Sequence, residues 1–368
     1  MKKLSVLILS KDLQGDGGVV NFISTLLHHV SPHVKAKSFQ LGGYQEQGII
    51  SAGIQFFKDI LRLSKTVNEL DIDCIHINPS FNVRSLIRDL ILIRILAIVA
   101  PGVGILAIIH GWDETVAQKG KRSAILSFLV ASSFNRCSTV LVLASSFKKD
   151  LISMGVNPNK IHVISTMFHA DLLRNQYEEE PKPIQSLLFL SRFVKEKGIY
   201  EVLEAFEKLN KSFPNLKLTM AGEGPEKKRI EDWIKLHHLS FKIDLCGYVR
   251  GDRKAEILNN ADLFVFPTYY GEGCPVSLLE ALAAGLPVVT TTVGGISDII
   301  RDGKNGILLE QVSTESVEKA ISTFLHMTPE QIKSIGDHNR KEAWQKYEAN
   351  VVTRNLEHVY YKVAYETA

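Results

Sequence analysis

Ser186-Leu187-Leu188-Phe189-Leu190-Ser191-Arg192-Phe193-Val194-Lys195-Glu196-Lys197-Gly198 is the stretch on which the fold turns. Its first five residues read as a short apolar strand, and a polar turn follows. From Ile199 to Lys211 the apolar positions then recur at helical spacing. An apolar strand, a turn and an amphipathic helix make one βα unit, which implies a parallel sheet covered by helices. Downstream the rhythm repeats, with strands at Leu216–Ala221, Ile243–Cys246, Leu263–Pro267 and Pro287–Thr291. Helices are expected at Lys227–His237, Arg253–Asn259 and Val276–Ala284, and a long helical tail from about Thr328 to Glu366.

Upstream the same alternation runs through the first half. Strands are expected at Leu4–Ser10, Cys74–Ile77, Gly104–Ile109, Thr139–Ala144 and His162–Ser165, with helices such as Val19–Val30 and Ile54–Asn68 between them. The polar segment Asn175–Gln185, with three consecutive glutamates and two prolines, reads as a linker. The 368 residues therefore predict two doubly wound α/β domains facing each other across a cleft, 1–177 and 178–345. A terminal helix, 346–368, is expected to return to the first domain. Ligands of such sheets bind beyond the carboxyl ends of the strands.

Composition narrows the class. A hydrophobic fraction of 45 % and a charged fraction of 23 % exclude a disordered or collagen-like chain. Cys74, Cys137, Cys246 and Cys274 show no paired spacing, which argues against a zinc site or a disulfide scaffold and for a reducing compartment. Net charge is +3 but uneven: residues 1–177 carry 19 Lys+Arg against 12 Asp+Glu, and residues 178–368 carry 24 against 28. A basic first half suits an anionic partner. The basic residues follow no nucleic-acid-binding pattern, so a membrane surface or a phosphorylated substrate fits better.

Met1-Lys2-Lys3 and the apolar run after it imitate an export signal, but Lys11 and Asp12 stand where cleavage would occur, and a buried first strand is expected instead. Residues 85–109 are strongly apolar, yet their charges oppose a spanning helix. Arg84, Arg88 and Arg94 fall on one arc of a helix. Two readings stay open: a helix lying on an anionic bilayer, or a core helix with arginines in solvent. The expected location is cytoplasmic, with peripheral membrane attachment under the first reading.

Three turns carry chemistry. Gly15-Asp16-Gly17-Gly18 lacks the third glycine of a dinucleotide fingerprint and the Gly-Lys-Ser/Thr of a phosphate loop. It remains a tight turn whose backbone N–H groups can approach an anion. Arg192 and Lys197 flank the turn quoted at the outset and make a cationic site beside a helix start. Tyr269-Tyr270-Gly271-Glu272-Gly273-Cys274-Pro275-Val276-Ser277-Leu278-Leu279-Glu280 follows a strand, with Pro275 placed to begin a helix. Its two glutamates, eight residues apart, can each accept hydrogen bonds from sugar hydroxyls. Asp71-Ile72-Asp73 resembles a metal-binding pair but reads as a loop before a strand.

Together these runs resemble the retaining glycosyltransferases of family 4, with GT-B architecture. The Glu272–Glu280 spacing and the Val293-Gly294-Gly295 turn match that family's signature. Arg192 and Lys197 match its diphosphate clamp, and Ala221-Gly222-Glu223-Gly224-Pro225 its Gly-x-Gly-Pro turn. The resemblance is dense over residues 186–310. It departs from the pattern at Ser165-Thr166-Met167-Phe168-His169 and at Asp298, where glutamate is usual.

The resemblance implies that Arg192 and Lys197 hold the leaving diphosphate and that Glu280 binds ribose hydroxyls. Glu272 and the backbone of Gly273, Cys274, Pro275 and Val276 would face the transferred sugar and the phosphates. Gly17 and Gly18 would complete the phosphate cradle, His110 would reach the donor sugar, and Glu223 would belong to the donor site. The base would lie near Gly247-Tyr248-Val249, and Trp112 and Asp113 would shape the acceptor side.

The implied reaction moves a hexose-type sugar from a nucleotide-diphosphate sugar to a glycan or lipid-linked glycan acceptor, with retention and without a metal or other cofactor. UDP-sugar is favoured over GDP-sugar as donor, and bacterial cell-surface polysaccharide or lipopolysaccharide synthesis is the expected setting. A nucleotide-sugar epimerase or hydrolase and a degenerate glycan-binding protein are the alternatives.

Overall fold

The computed structural model describes residues 3–15, 17–42, 49–170, 173 and 180–365, and leaves the side chains at 49, 50 and 84 undescribed. Two compact units result. One comprises Met1–Thr166 with Ala349–Ala368, the other Met167–Glu348. The division at Thr166 precedes the expected linker, and the boundary expected after residue 177 lies outside the described residues.

Unit 1 is built from β1 (Leu4–Ser10), α1 (Gly18–His29), β2 (Val34–Gln40), α2 (Ile49–Leu70), β3 (Cys74–Ile77), β4 (Ser80–Phe81), α3 (Val83–Val99), β5 (Gly104–Ile109), β6 (Gly111–Trp112), α4 (Glu114–Arg122), α5 (Ala124–Phe134), β7 (Thr139–Val142), α6 (Ser145–Ser153) and β8 (Ile161–Val163). Six of these strands form one parallel sheet in the order β2-β1-β3-β5-β7-β8, and β4 pairs with β6 separately. Strands β1, β3, β5 and β7 are buried along their whole length, the mark of a sheet covered on both faces. Leu7, Ile75, Ala107 and Val140 point into one core with helices α2 to α6.

In unit 2 the order is β9 (Ser186–Leu190), α7 (Ile199–Ser212), β10 (Lys217–Ala221), α8 (Lys227–Leu236), β11 (Ile243–Gly247), α9 (Gly251–Asn259), β12 (Leu263–Phe266), α10 (Val276–Ala283), β13 (Val288–Thr291), α11 (Ile296–Ile299), β14 (Gly306–Leu309), α12 (Thr314–Leu325) and α13 (Pro329–Lys346). Its sheet is also parallel, in the order β11-β10-β9-β12-β13-β14.

The helical tail expected as one element is two. Helix α13 ends at Lys346, and α14 (Ala349–Tyr365) begins after Tyr347 and Glu348. Residue 366, where the tail was expected to end, lies outside the described residues. Helix α14 belongs to unit 1. There Tyr360 meets His76 of β3 at 2.7 Å and Glu357 accepts from the Ser31 amide at 2.5 Å. Gly104 is required at this contact, because a Cβ there would lie 2.4 Å from the Val363 carbonyl oxygen.

Both sheets reverse their winding direction at one place, between β1 and β3 in unit 1 and between β9 and β12 in unit 2. Loops leaving neighbouring strands diverge at such a point, the usual ligand position of such sheets.

Candidate functional site

At the unit 2 switch point, one loop leaves β9 and another leaves β12. The first descends through Ser191–Val194 into a short turn, Lys195–Lys197, closed by Gly198 at φ +76°. A side chain at Gly198 would put its Cβ 2.3 Å from the Pro267 carbonyl oxygen, so glycine lets the two loops touch. They are stitched further by the Tyr269 and Tyr270 amides, which donate to the Glu196 carbonyl at 2.9 and 3.0 Å.

This stitching brings Lys197 to Glu272. The buried ammonium donates to the Glu272 carboxylate, to which the Thr268 hydroxyl also donates, at 3.2 Å. Lys197 Nζ further lies 4.7 Å from the Tyr270 ring centroid and 5.3 Å from that of Phe266, a cation–π setting. Arg192 is exposed, its guanidinium 5.9 Å from the centroid of the same Tyr270 ring. The second loop is held from behind by Gly294, at φ +58°. A Cβ at that position would lie 1.8 Å from the Glu272 carbonyl oxygen, which accepts from the Gly295 amide at 3.1 Å. The Gly-Gly turn thus fixes the backbone from which Glu272 projects.

Gly273, Cys274 and Pro275 lead into α10, with Pro275 at the cap and Val276 as first helical residue. Glu280 lies just over one turn along and is buried, and Lys254 of α9 donates to its carboxylate. Burial lifts the Glu280 carboxyl above its ordinary range, and the Lys254 ammonium opposes that rise. The far end of α10 is anchored by α13, where Arg340 donates to the Ala284 carbonyl at 2.9 Å and Trp344 to that of Ala283 at 3.1 Å. Glu223, in the turn after β10, is exposed and pairs with Lys227 at 2.6 Å. Val249 is buried beyond β11, while Tyr248 before it is exposed.

At the unit 1 switch point, Gly17 caps α1 and Gly18 opens it, and a Cβ at either would meet open space. Asp16 of the same turn lies outside the described residues. Beside this turn, His110 at the end of β5 packs edge-on against Phe22 of α1, ring centroids 4.8 Å apart. Asn78, after β3, donates through Nδ2 to the Leu9 carbonyl at 3.0 Å. That leaves its Oδ1 as acceptor, 2.9 Å from His110 Nε2. The network therefore assigns the His110 proton to Nε2 and leaves Nδ1 as an acceptor. Burial lowers the His110 pKa to about 4, so the ring is neutral at physiological pH.

Two residues expected at the acceptor side have other work. Trp112 is buried between Phe81 and Phe147, each stacked on it at 4.4 Å, and both ring faces are occupied. Asp113 caps α4, accepting from the Thr115 amide at 2.8 Å and the Val116 amide at 3.3 Å. Asp73, of the pair resembling a metal site, accepts from the Ser5 amide at 2.8 Å.

Asn78, Lys254 and Thr268 are functional candidates that sequence reasoning missed. They belong to no motif, and each matters only through the partner that the fold brings to it.

Comparison with known proteins places these observations in a family. Residues 25–171 match the model of Glycosyltransferase Family 4, and residues 172–342 that of Glycosyl transferases group 1. WcaL of Salmonella typhimurium, named for glycosyl transfer in colanic acid biosynthesis, is 26 % identical over 61 % of this chain and 56 % of its own length. The chain thus spans little more than half of that relative.

Among solved structures, HepE of Anabaena in complex with UDP and glucose aligns with a TM-score of 0.72 at 16 % identity, over 97 % of this chain and 99 % of that one. Sucrose-phosphate synthase of Thermosynechococcus elongatus aligns with a TM-score of 0.75 at 17 % identity, over 98 % and 99 %. The two family models, which between them cover residues 25–342, identify the chain as a member of glycosyltransferase family 4, and its two parallel α/β units have the GT-B fold.

Proposed function

We propose that this protein transfers a hexose-type sugar from a nucleotide-diphosphate sugar, a UDP-sugar first among candidates, to a glycan acceptor with retention of configuration and without a metal ion. The observation that carries the reading is the group at the unit 2 switch point: Lys197 buried against Glu272, with Arg192 exposed beside the same aromatic ring. The bound UDP and glucose in HepE support the donor class. The WcaL name supports a role in bacterial cell-surface polysaccharide synthesis.

The chemistry follows from where charge develops. As the bond from the anomeric carbon to the diphosphate breaks, negative charge grows on the phosphate oxygens and positive charge on the sugar. Arg192 and Lys197 meet the first of these, and their attraction strengthens along the reaction, so it lowers the barrier as well as binding the donor. Lys197 already carries a partner in Glu272, and a phosphate would share that ammonium.

The backbone N–H groups of Gly273, Cys274 and Val276, at the start of α10, add positive potential. Glu272 faces the sugar, and Glu280, paired with Lys254, accepts from the ribose hydroxyls. Gly17 and Gly18 leave backbone room for phosphate oxygens. His110, neutral and with Nδ1 free to accept, takes a hydrogen bond from a donor-sugar hydroxyl.

The test is incubation with a panel of UDP- and GDP-sugars, with and without glycan acceptors, followed by NMR of the anomeric signals. A product of unchanged anomeric configuration that requires acceptor, and persists with chelator, supports the reading. Conversion of the donor at the same rate without acceptor assigns the protein to the epimerase or hydrolase class.

A further inference from the structure

Helices α3 and α5 of unit 1 pack against each other. Each buries one face in the core, as Leu86, Ile93 and Leu96 of α3 and Val130 and Phe134 of α5 show. Their opposite faces are also apolar. On α3, Ile87 is 64 % exposed, Ile91 46 % and Ile98 76 %; on α5, Ile125 is 76 % exposed, Phe128 69 % and Leu129 36 %. At 100° per residue the α3 set spans an arc of about 40° and the α5 set about 100°. Each is a stripe rather than a scatter. Arg94 lies beside the α3 stripe and donates to Ser132, within the α5 stripe, at 2.5 Å. The two stripes are therefore neighbours on one surface, larger than the isolated apolar residues of an ordinary exterior.

The charges around this surface have one sign. Arg94 and Arg136 both donate to Ser132, through its hydroxyl and its carbonyl respectively. Lys119 and Arg122, exposed and with no ion pair among the described residues, end α4 directly before α5. Residues 84–136 hold seven Lys+Arg against three Asp+Glu. Each of the three acids is engaged elsewhere: Asp89 is buried with Arg88 at 2.6 Å, Asp113 caps α4, and Glu114 accepts from Gln118.

We propose that this face docks on an anionic lipid bilayer, with the isoleucine and phenylalanine side chains in the acyl boundary and the four cations among headgroup phosphates. The pairing of apolar stripe and basic rim is the pattern of interfacial helices, and no helix among the described residues is long and apolar enough to cross a membrane. The proposal takes up the bilayer reading that the sequence left open, on an apolar stripe instead of an arginine sector. The helix does help to form the core, but its arginines are not a free sector: Arg88 is paired with Asp89 and Arg94 bonds to α5. The Arg84 side chain lies outside the described residues. The inference is independent of the proposed sugar transfer.

Co-sedimentation of the full chain with phosphatidylglycerol-containing vesicles, and with vesicles of phosphatidylcholine alone, tests it. Wild type should partition onto the anionic vesicles and less onto the neutral ones. Ile91→Ser with Phe128→Ser should weaken partitioning by about tenfold or more, since each removes a large apolar side chain from the contact. Lys119→Glu with Arg122→Glu should abolish the preference for anionic lipid, and both pairs should keep the wild-type unfolding temperature. The proposal is overturned if wild type stays in solution with either vesicle, or if the serine pair partitions like wild type. It is equally overturned if the serine pair instead abolishes a dimer of a chain that binds no vesicle, which would assign the face to a second copy.

Discussion

Mild acid should loosen unit 1 well before ordinary carboxylate titration begins. His76 and His110 stand on neighbouring strands of its sheet, and burial lowers their pKa values from 6.5 to about 3 and about 4, with His110 pressing His76 down further. A depressed imidazole pKa means that the folded chain binds fewer protons than the unfolded one. Stability is therefore full above 6.5 and falls as pH drops, until the folded pKa is reached.

At pH 5 the unfolded imidazoles are almost wholly protonated and the folded ones almost wholly neutral, so each group costs about 2 kcal/mol relative to pH 8, and the two together about 4. That is a large share of the 5–15 kcal/mol typical of a domain. Glu342 of unit 2, held at about 2 by Lys346, Asn305 and Arg301 against the opposing effect of burial, loses its contribution only as pH falls below its ordinary 4.5. The raised Glu280 carboxyl favours the folded state as pH falls.

Trp112 reports on unit 1 and Trp233 and Trp344 on unit 2, so urea unfolding in a Trp233→Phe/Trp344→Phe background isolates the first. Its midpoint should drop sharply between pH 8 and pH 5, and His76→Gln should remove about half of the drop. An unchanged midpoint would refute the burial argument.

Two further outcomes follow from unit 2. Lys254→Ala should weaken UDP binding, and the loss should lessen as pH rises and Glu280 ionises unaided; Lys254→Arg should retain binding, with calorimetry across pH as the check. Gly294→Ala should destabilise unit 2 by more than about 2 kcal/mol, because it combines a left-handed backbone with a Cβ placed against the Glu272 carbonyl; chemical denaturation measures it.

Strands with two neighbours were legible because burial on both faces leaves a continuous apolar run. Thus β1, β3, β5 and β9 fall where the sequence puts them. Strand β2 escaped notice because it is an edge strand carrying Lys35 and Lys37 on exposed positions, and β14 because it is short and also at an edge. The break between α13 and α14 carries neither glycine nor proline, so local chemistry gave no stop signal; the chain changes units there.

The residues proposed to grip the diphosphate stand out in the sequence because that chemistry needs fixed spacing within one loop. The supports of that chemistry, Thr268 beneath Glu272, Lys254 against Glu280 and Asn78 on His110, come from other segments, and spacing along the chain cannot announce them. Trp112 was drawn toward the site by its nearness to His110, although its alternation along the chain turns it into the core.

The central claim is that Arg192 and Lys197 grip a diphosphate. Titration of UDP and of uridine into wild type, Arg192→Ala and Lys197→Gln by calorimetry tests it most directly, with the glutamine chosen to leave Glu272 a donor. UDP should bind wild type far more tightly than uridine, and each variant should lose about tenfold to a hundredfold of that preference while folding normally. Equal affinity for UDP in all three proteins would contradict the account.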